Sequence, residues 1–321
     1  MTELAESFPV VAPSSRPVRS DARGYALYLA AAILFAFNGT VVKGMLIAGL
    51  GPSDLSQLRA AGAFVLLFLF VAVTNPAAIR LRRAEVPLLA AYGIMGIAFT
   101  QGLYFLSIQR IPIGISLLIE FTSPLLVAIW FRFGLKHPTR RIVWVALITA
   151  MAGLAVVAQV WQGLTLDIVG VLYGAGAAIS LAFFFIAADV QVRRPDPRDA
   201  VSLTMWGMGF ATLFWAVVQP WWRFPFETLA HAIPLFGTSG PVLPAVLPAL
   251  SMIVLGTLVP FSLSVLSMEH VRASQAAVMG MTEPIIATGI AWVFLGETMT
   301  PIQMVGAAIV LGSVLVAERN R

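Results

Sequence analysis

From residue 24 onward the chain alternates long apolar runs with short polar and charged clusters. Ten runs approach the roughly 20 residues that an α-helix needs to cross hydrocarbon. They are Gly24–Ile47, Ser53–Thr74, Val86–Leu106, Ile113–Phe133, Val143–Val160, Asp167–Val190, Ala200–Trp221, Pro244–Leu266, Ala273–Leu295 and Pro301–Ala317. The connections are mostly short. The longest, Trp222–Pro241, is rich in proline and aromatic residues and suits a bilayer surface. Residues 1–23 and 318–321 form polar tails. No short apolar core with a cleavage site follows the first tail, so the first run is expected to be an uncleaved spanning helix.

Composition points the same way. Apolar residues make up 59% of the chain and charged residues 11%, against roughly 25% charged in soluble proteins. So few charges cannot build a watery surface, and the lipid bilayer is the expected solvent. The net charge is +5, but the basic residues sit in clusters between apolar runs and carry topology rather than a nucleic-acid footprint. With the first tail placed in the cytoplasm and sides alternated, 16 of the 20 Lys and Arg fall on the inner side. Only Arg110 and Arg223 fall outside, while Lys43 and Arg59 lie within apolar runs. That bias predicts a multi-pass protein of the plasma (inner) membrane with both termini cytoplasmic. The chain has no cysteine, which excludes disulfides, thiolate metal sites and a cysteine nucleophile.

The two halves repeat. A spacing of 160 places Leu106-Ser107 on Leu266-Ser267 and Thr122-x-Pro124 on Thr282-x-Pro284. A spacing of 146 places Gly24, Ala31, Ala32, Ile33, Ala36 and Phe37 on Gly170, Ala177, Ala178, Ile179, Ala182 and Phe183. Units of five helices, residues 24–160 and 161–317, reverse their orientation from one copy to the next. The expected fold is an all-α membrane protein of ten transmembrane helices, in two inverted five-helix repeats around a central cavity, a plan common among secondary transporters.

Polar groups at depth supply the candidate chemistry. Pro124 and Pro284 each lie about 16 Å into their runs by helix rise, near the centre of a core about 30 Å thick. Each removes a backbone hydrogen bond and marks a hinge. Glu283 stands beside Pro284, where an ionised side chain costs at least about 2.5–3.5 kcal/mol unless it is protonated, paired or wet. It is the first candidate for solute contact or for carrying a coupling proton. Glu120 and Arg59 lie about 10 Å from the outer face, with Gln101 and Lys43 nearby in depth. A pairing of Glu120 with Arg59 or Lys43 is one expectation, and snorkelling of the two cations to the headgroups is the other. Asn38, Tyr104 and Thr282 complete the candidate cavity wall, and Thr100, Thr122, Ser180 and Gln275 are further intramembrane polar groups whose default role is helix–helix bonding. An intramembrane enzyme and a non-transporting membrane scaffold are the alternatives. Neither a His-Glu-x-x-His pair nor a Gly-x-Ser-x-Gly elbow is present, no cofactor is called for, and the absence of a Walker A motif argues against ATP-driven pumping. Scarce inward cations favour a zwitterion or a weakly charged metabolite over a phosphate-rich solute.

Three segments carry a resemblance. Phe294-Leu295-Gly296-Glu297-Thr298-Met299-Thr300-Pro301 resembles the signature of the EamA family in the drug/metabolite transporter superfamily. Glu120-Phe121-Thr122-Ser123-Pro124-Leu125-Leu126 and Thr282-Glu283-Pro284-Ile285-Ile286 resemble that family's paired proline-containing helices. The first half departs from the pattern, with Lys136-His137-Pro138 in place of Gly296-Glu297-Thr298. The resemblance spans about residues 24–317 and implies ten helices, a central cavity and export of amino acids or related small metabolites. The signature also has a local physical reading. Thr300 caps a helix with Pro301 at its first position, Gln303 completes a capping box, and Glu297 favours the positive helix start.

Overall fold

The computed structural model describes residues 22–136, 140–161, 167–234, 242–295 and 300–320. Helices occupy every predicted run: α1 Ala22–Ile47, α2 Pro52–Thr74, α3 Arg83–Ile108, α4 Ile113–Glu120, α5 Ser123–Ile129, α6 Arg141–Val157, α7 Ile168–Val192, α8 Ala200–Val218, α9 Val246–Met268, α10 Ala273–Gly280, α11 Glu283–Leu295 and α12 Pro301–Arg319. Among the described residues, eight helical stretches are long and apolar enough to cross a membrane, with α4 and α5 counted as one stretch; α6 is shorter. Large apolar side chains stand outward on these helices, Val73 and Val217 at 83% exposure and Leu172 at 63%. In water that surface would aggregate; in hydrocarbon it costs nothing.

Two runs expected to be single kinked helices are broken instead. Phe121-Thr122 and Met281-Thr282 form turns that separate α4 from α5 and α10 from α11. Proline at 124 and 284 cannot donate to the carbonyl four residues back. Each preceding threonine then finishes the break by turning its hydroxyl onto its own helix: Thr122 Oγ1 donates to the Ile119 carbonyl and Thr282 Oγ1 to the Met279 carbonyl, both at 2.7 Å. The long connection also differs from the all-helical expectation. Ala232–Pro234 and Val242–Pro244 pair as two short antiparallel strands, β1 and β2.

The duplication is visible in packing. The backbone of Gly24 lies against His270 and Val271, and that of Gly170 lies against Arg110 and Ile111, the same contact at spacings of 146 and 160. Gly96 lies against Phe184, and Gly256 lies against Asn38, by the same two spacings. Gly96 and Gly256 also sit in matching wide turns of π geometry, Tyr92–Ala98 within α3 and Val254–Leu258 within α9. Close approach without a side chain explains these glycines. The last helix of each half meets its counterpart likewise: a Cβ on Gly306 of α12 would lie 2.9 Å from the carbonyl oxygen of Gly153 in α6.

Polar bonds tie the connections together. Arg198 donates to Glu85 (2.8 Å), to the Ala78 carbonyl (2.6 Å) and to Ser202 Oγ (3.0 Å). Arg193 donates to Asp189 (2.9 Å) and to the Val271 carbonyl (3.0 Å). Tyr25 donates to Glu318 (2.6 Å) and accepts from Gln275 (2.7 Å). These all join segments that the charge pattern assigns to the inner side. Arg110 with Asp167 (3.0 Å), Gln57 with the Gln219 carbonyl (2.6 Å), and Gln219 with Asp54 join segments assigned to the outer side. The capping box at Thr300 forms as expected, with Gln303 N–H donating to Thr300 Oγ1 and Gln303 Oε1 accepting from the Thr300 amide. Glu297 and the Lys43 side chain lie outside the described residues.

Candidate functional site

The two helix breaks bring two carboxyl groups together. Glu120 is the last residue of α4 and Glu283 the first of α11. Relative to the internal repeat they occupy different positions. The counterpart of Glu120 is Gly280 and the counterpart of Glu283 is Ser123, so each half contributes one carboxyl group from its own break. The two lie within electrostatic reach of one another, and Glu283 also feels Arg59, Tyr104 and Tyr28. Among the described residues neither carboxyl group makes a hydrogen bond or an ion pair. Glu120 is 9% exposed and Glu283 half-buried, yet their oxygens are not among the buried polar atoms sealed without partners. They are therefore not fully enclosed by protein atoms.

Arg59 is the cation of this cluster. It enters from α2, 5% exposed, and is held by α9. Its Nε donates to Thr257 Oγ1 and its Nη2 to the Gly256 carbonyl, both at 2.9 Å. Thr257 in turn donates to the Met252 carbonyl at 2.8 Å. The Phe105 ring covers one side of the guanidinium, 5.9 Å from Cζ to centroid, a distance at which the ring quadrupole attracts a cation. The snorkelling expected for Arg59 does not occur. Nor does a direct Glu120–Arg59 ion pair form, and the carboxyl group that shares the field of Arg59 is Glu283.

The remaining candidates divide. Tyr104, half-buried, lies within reach of both glutamates and of Arg59. Asn38 packs on Gly256, the residue whose carbonyl holds Arg59, and its Oδ1 is buried without a partner. Gln101 lines a cavity of about 10 Å³ together with Ser56, Thr257 and Trp215, room for about one water. Thr282 is engaged in the break itself and presents no free hydroxyl proton. Pro124 and Pro284 stand second in α5 and α11, directly after the breaks. Gln275 belongs instead to the Tyr25–Glu318 network at the start of α10. Among the described residues no group of three or more His, Asp or Glu is arranged to hold a metal.

Outside the apolar spans two ion pairs are electrostatically defined. The Gly170 amide, with Arg110 and the Val169 amide, holds the Asp167 carboxyl below the ordinary range. Asp196 raises the already high value of Arg82.

The decisive comparison is with protein families. The EamA-like transporter family matches residues 22–159 and again residues 168–318. The chain belongs to that family. This EamA-like protein is therefore a multi-pass membrane transporter and not an enzyme, with the family unit present twice. It is 27% identical to the threonine/homoserine exporter RhtA of Escherichia coli K12, over 84% of this chain and 81% of that protein. It is 25% identical to the uncharacterised transporter YwfM of Bacillus subtilis, over 91% of this chain and 93% of that protein. A solved crystal structure shares the fold with a TM-score of 0.73 and 16% identity, covering 93% of this chain and 97% of the other.

Sequence reasoning passed over Thr257, Gly256 and Tyr28. A lone threonine in an apolar helix is usually a local backbone bond, so Thr257 carried no signal alone. The repeat offered one: Thr257 stands where the first half has Ile97.

Proposed function

We propose that this EamA-like protein is a secondary transporter that exports amino acids or related small polar metabolites by alternating access, with protons as the coupling ion. In this reading α4 with α5, and α10 with α11, each make one spanning unit. The bundle then has ten transmembrane helices in two inverted five-helix repeats around a central cavity, and sits in the plasma (inner) membrane with both termini cytoplasmic. Glu283, Glu120, Arg59, Tyr104 and Asn38 line the solute path. Gln101 and Thr282 border it, and the breaks ahead of Pro124 and Pro284 are the hinges.

One observation carries the reading. Two carboxyl groups, one from each repeat, stand unpartnered at mid-helix breaks beside a buried arginine. An ionised carboxylate in hydrocarbon is costly, so a cluster like this is retained for what it binds. Amino-acid export is favoured by the likeness to the threonine/homoserine exporter and by the presence of both signs of charge, which suit a zwitterion.

The test is uptake into everted membrane vesicles of a labelled amino-acid panel that includes L-threonine and L-homoserine, with and without an imposed proton gradient. Gradient-dependent uptake is expected, with Glu283→Gln reducing it at least tenfold. Unchanged, still gradient-dependent transport by Glu283→Gln would remove that carboxyl group from the mechanism.

A further inference from the structure

The guanidinium of Arg59 carries five N–H donors in a planar fork. Two are used: Nε on Thr257 Oγ1 and one Nη2 proton on the Gly256 carbonyl. Among the described residues the other three, one on Nη2 and two on Nη1, have no partner. Nη1, which bonds to nothing among the described residues, is not among the sealed buried atoms lacking a partner. The open Nη1–Nη2 end is the geometry that receives a carboxylate through two parallel hydrogen bonds.

Helix α9 fixes which end stays open. The π turn Val254–Leu258 is one residue wider than an α-helical turn. Within this turn the Gly256 carbonyl and the adjacent Thr257 Oγ1 both accept from Arg59. Asn38 packs directly on Gly256, leaving no room for a side chain there. The corresponding turn of α3 has the same glycine, Gly96, but Ile97 where Thr257 stands and Phe184 where Asn38 stands. The cradle is thus built once, on one side of the cluster, although the scaffold that carries it is built twice. Glu120 and Glu283, from the two helix breaks, complete the cluster, with Glu283 in the field of Arg59.

We propose that Arg59 is the anchor for the solute's carboxylate and that Thr257 is a positioning residue, which turns the open edge of the guanidinium toward the solute. This rests on the transporter reading above and deepens it by giving the bound solute a fixed direction: carboxylate toward α2 and α9, ammonium toward the breaks that carry Glu120 and Glu283. The selectivity that follows is for molecules with a free carboxylate.

The experiment uses the purified full chain, binding being measured by isothermal titration in detergent and transport in proteoliposomes. The probes are L-threonine, its amino-alcohol analogue lacking the carboxylate, and a short hydroxy acid lacking the ammonium. Thr257→Val removes the hydroxyl at nearly constant volume. It is expected to weaken L-threonine and hydroxy-acid binding about tenfold or more, the loss of a charge-assisted hydrogen bond. It should raise KM more than it lowers kcat and leave the amino alcohol within twofold. Thr257→Ser should restore wild-type behaviour, and Arg59→Lys should fail as Thr257→Val does, because an ammonium has no fork. Thermal midpoints of each variant, taken alongside, exclude loss of fold as the cause.

The proposal is overturned if Thr257→Val and Arg59→Lys bind L-threonine as the wild type does, or lose the carboxylate and amino-alcohol probes equally. In that event wild-type transport of L-threonine still upholds the transporter reading. If the wild type neither binds nor moves any carboxylate probe, both readings fall together.

Discussion

The electrostatic centre predicts a specific non-additivity between Arg59→Met and Glu283→Gln. Arg59 is 5% exposed and donates two hydrogen bonds at 2.9 Å. Bonds to a charged donor contribute about 1.5–3 kcal/mol each. Methionine fills much of the same volume but removes both bonds and the charge. Thr257 keeps its bond to the Met252 carbonyl, whereas the Gly256 carbonyl loses its side-chain donor. Glu283 and Glu120 are then left facing one another with no described cation in their field. Removing one partner of a buried charge cluster typically costs about 3–5 kcal/mol, and Arg59→Met is expected within that range.

Glu283→Gln alone removes the countercharge of Arg59 but leaves both of its hydrogen bonds, so its cost is expected to be about 1–2 kcal/mol. In the double variant the Arg59–Glu283 attraction is lost only once. Its destabilisation should therefore fall short of the sum of the singles by about 1–3 kcal/mol, the size of coupling found for groups in one network. The assay is equilibrium unfolding from mixed micelles, followed by the fluorescence of the chain's eight tryptophans. Additivity within about 0.5 kcal/mol, the behaviour of distant sites, would show that Arg59 and Glu283 do not share a field. The cluster would then be two separate features.

Other parts of the molecule predict equally definite outcomes. Arg198 and Glu85 are 11% and 12% exposed, and Arg198 also holds the Ala78 carbonyl. Arg198→Ala should cost about 3 kcal/mol and open the segment around residues 75–85 to limited proteolysis, while Arg82→Ala, in an exposed pair with Asp196, should leave stability nearly unchanged. For Asp167 the sign is set by its lowered folded-state value, owed first to the Gly170 amide and then to Arg110. Its stabilisation is present above the ordinary carboxylate range and is lost as pH falls through the folded value. Asp167→Asn keeps a capping acceptor and should flatten the acid limb of a thermal-stability profile below pH ~5.

How much of this was legible beforehand depends on the length scale of the signal. A spanning helix is announced by some twenty consecutive side chains, so membrane class and helix placement survive errors at any one position. The observed ends fall within a few residues of the expected ones, as with Ala200–Val218 against Ala200–Trp221. The breaks at Phe121-Thr122 and Met281-Thr282 were half legible. Proline marks a missing bond, but whether the helix bends or stops depends on the preceding threonine turning its hydroxyl inward, a choice made by local geometry. The π turns were not legible at all, because one inserted residue in a long apolar run leaves the hydrophobic pattern nearly unchanged. They nevertheless decide what Arg59 does. From its depth alone, Arg59 reads equally well as a snorkelling cation or as a partner of Glu120; its bonds to the Gly256 carbonyl and the Thr257 hydroxyl hold it inside instead. The repeat explains why such a site can exist. Two copies of one packing scheme supply a rigid frame, with Gly24 and Gly170, or Gly96 and Gly256, making the same contacts in each half. Within that frame single substitutions in one copy, a threonine for Ile97 or a glutamate for Ser123, place a donor or an acid without disturbing the helices. A symmetric scaffold with asymmetric chemistry is what a transporter needs if its solute is to be held in one direction while the frame around it moves.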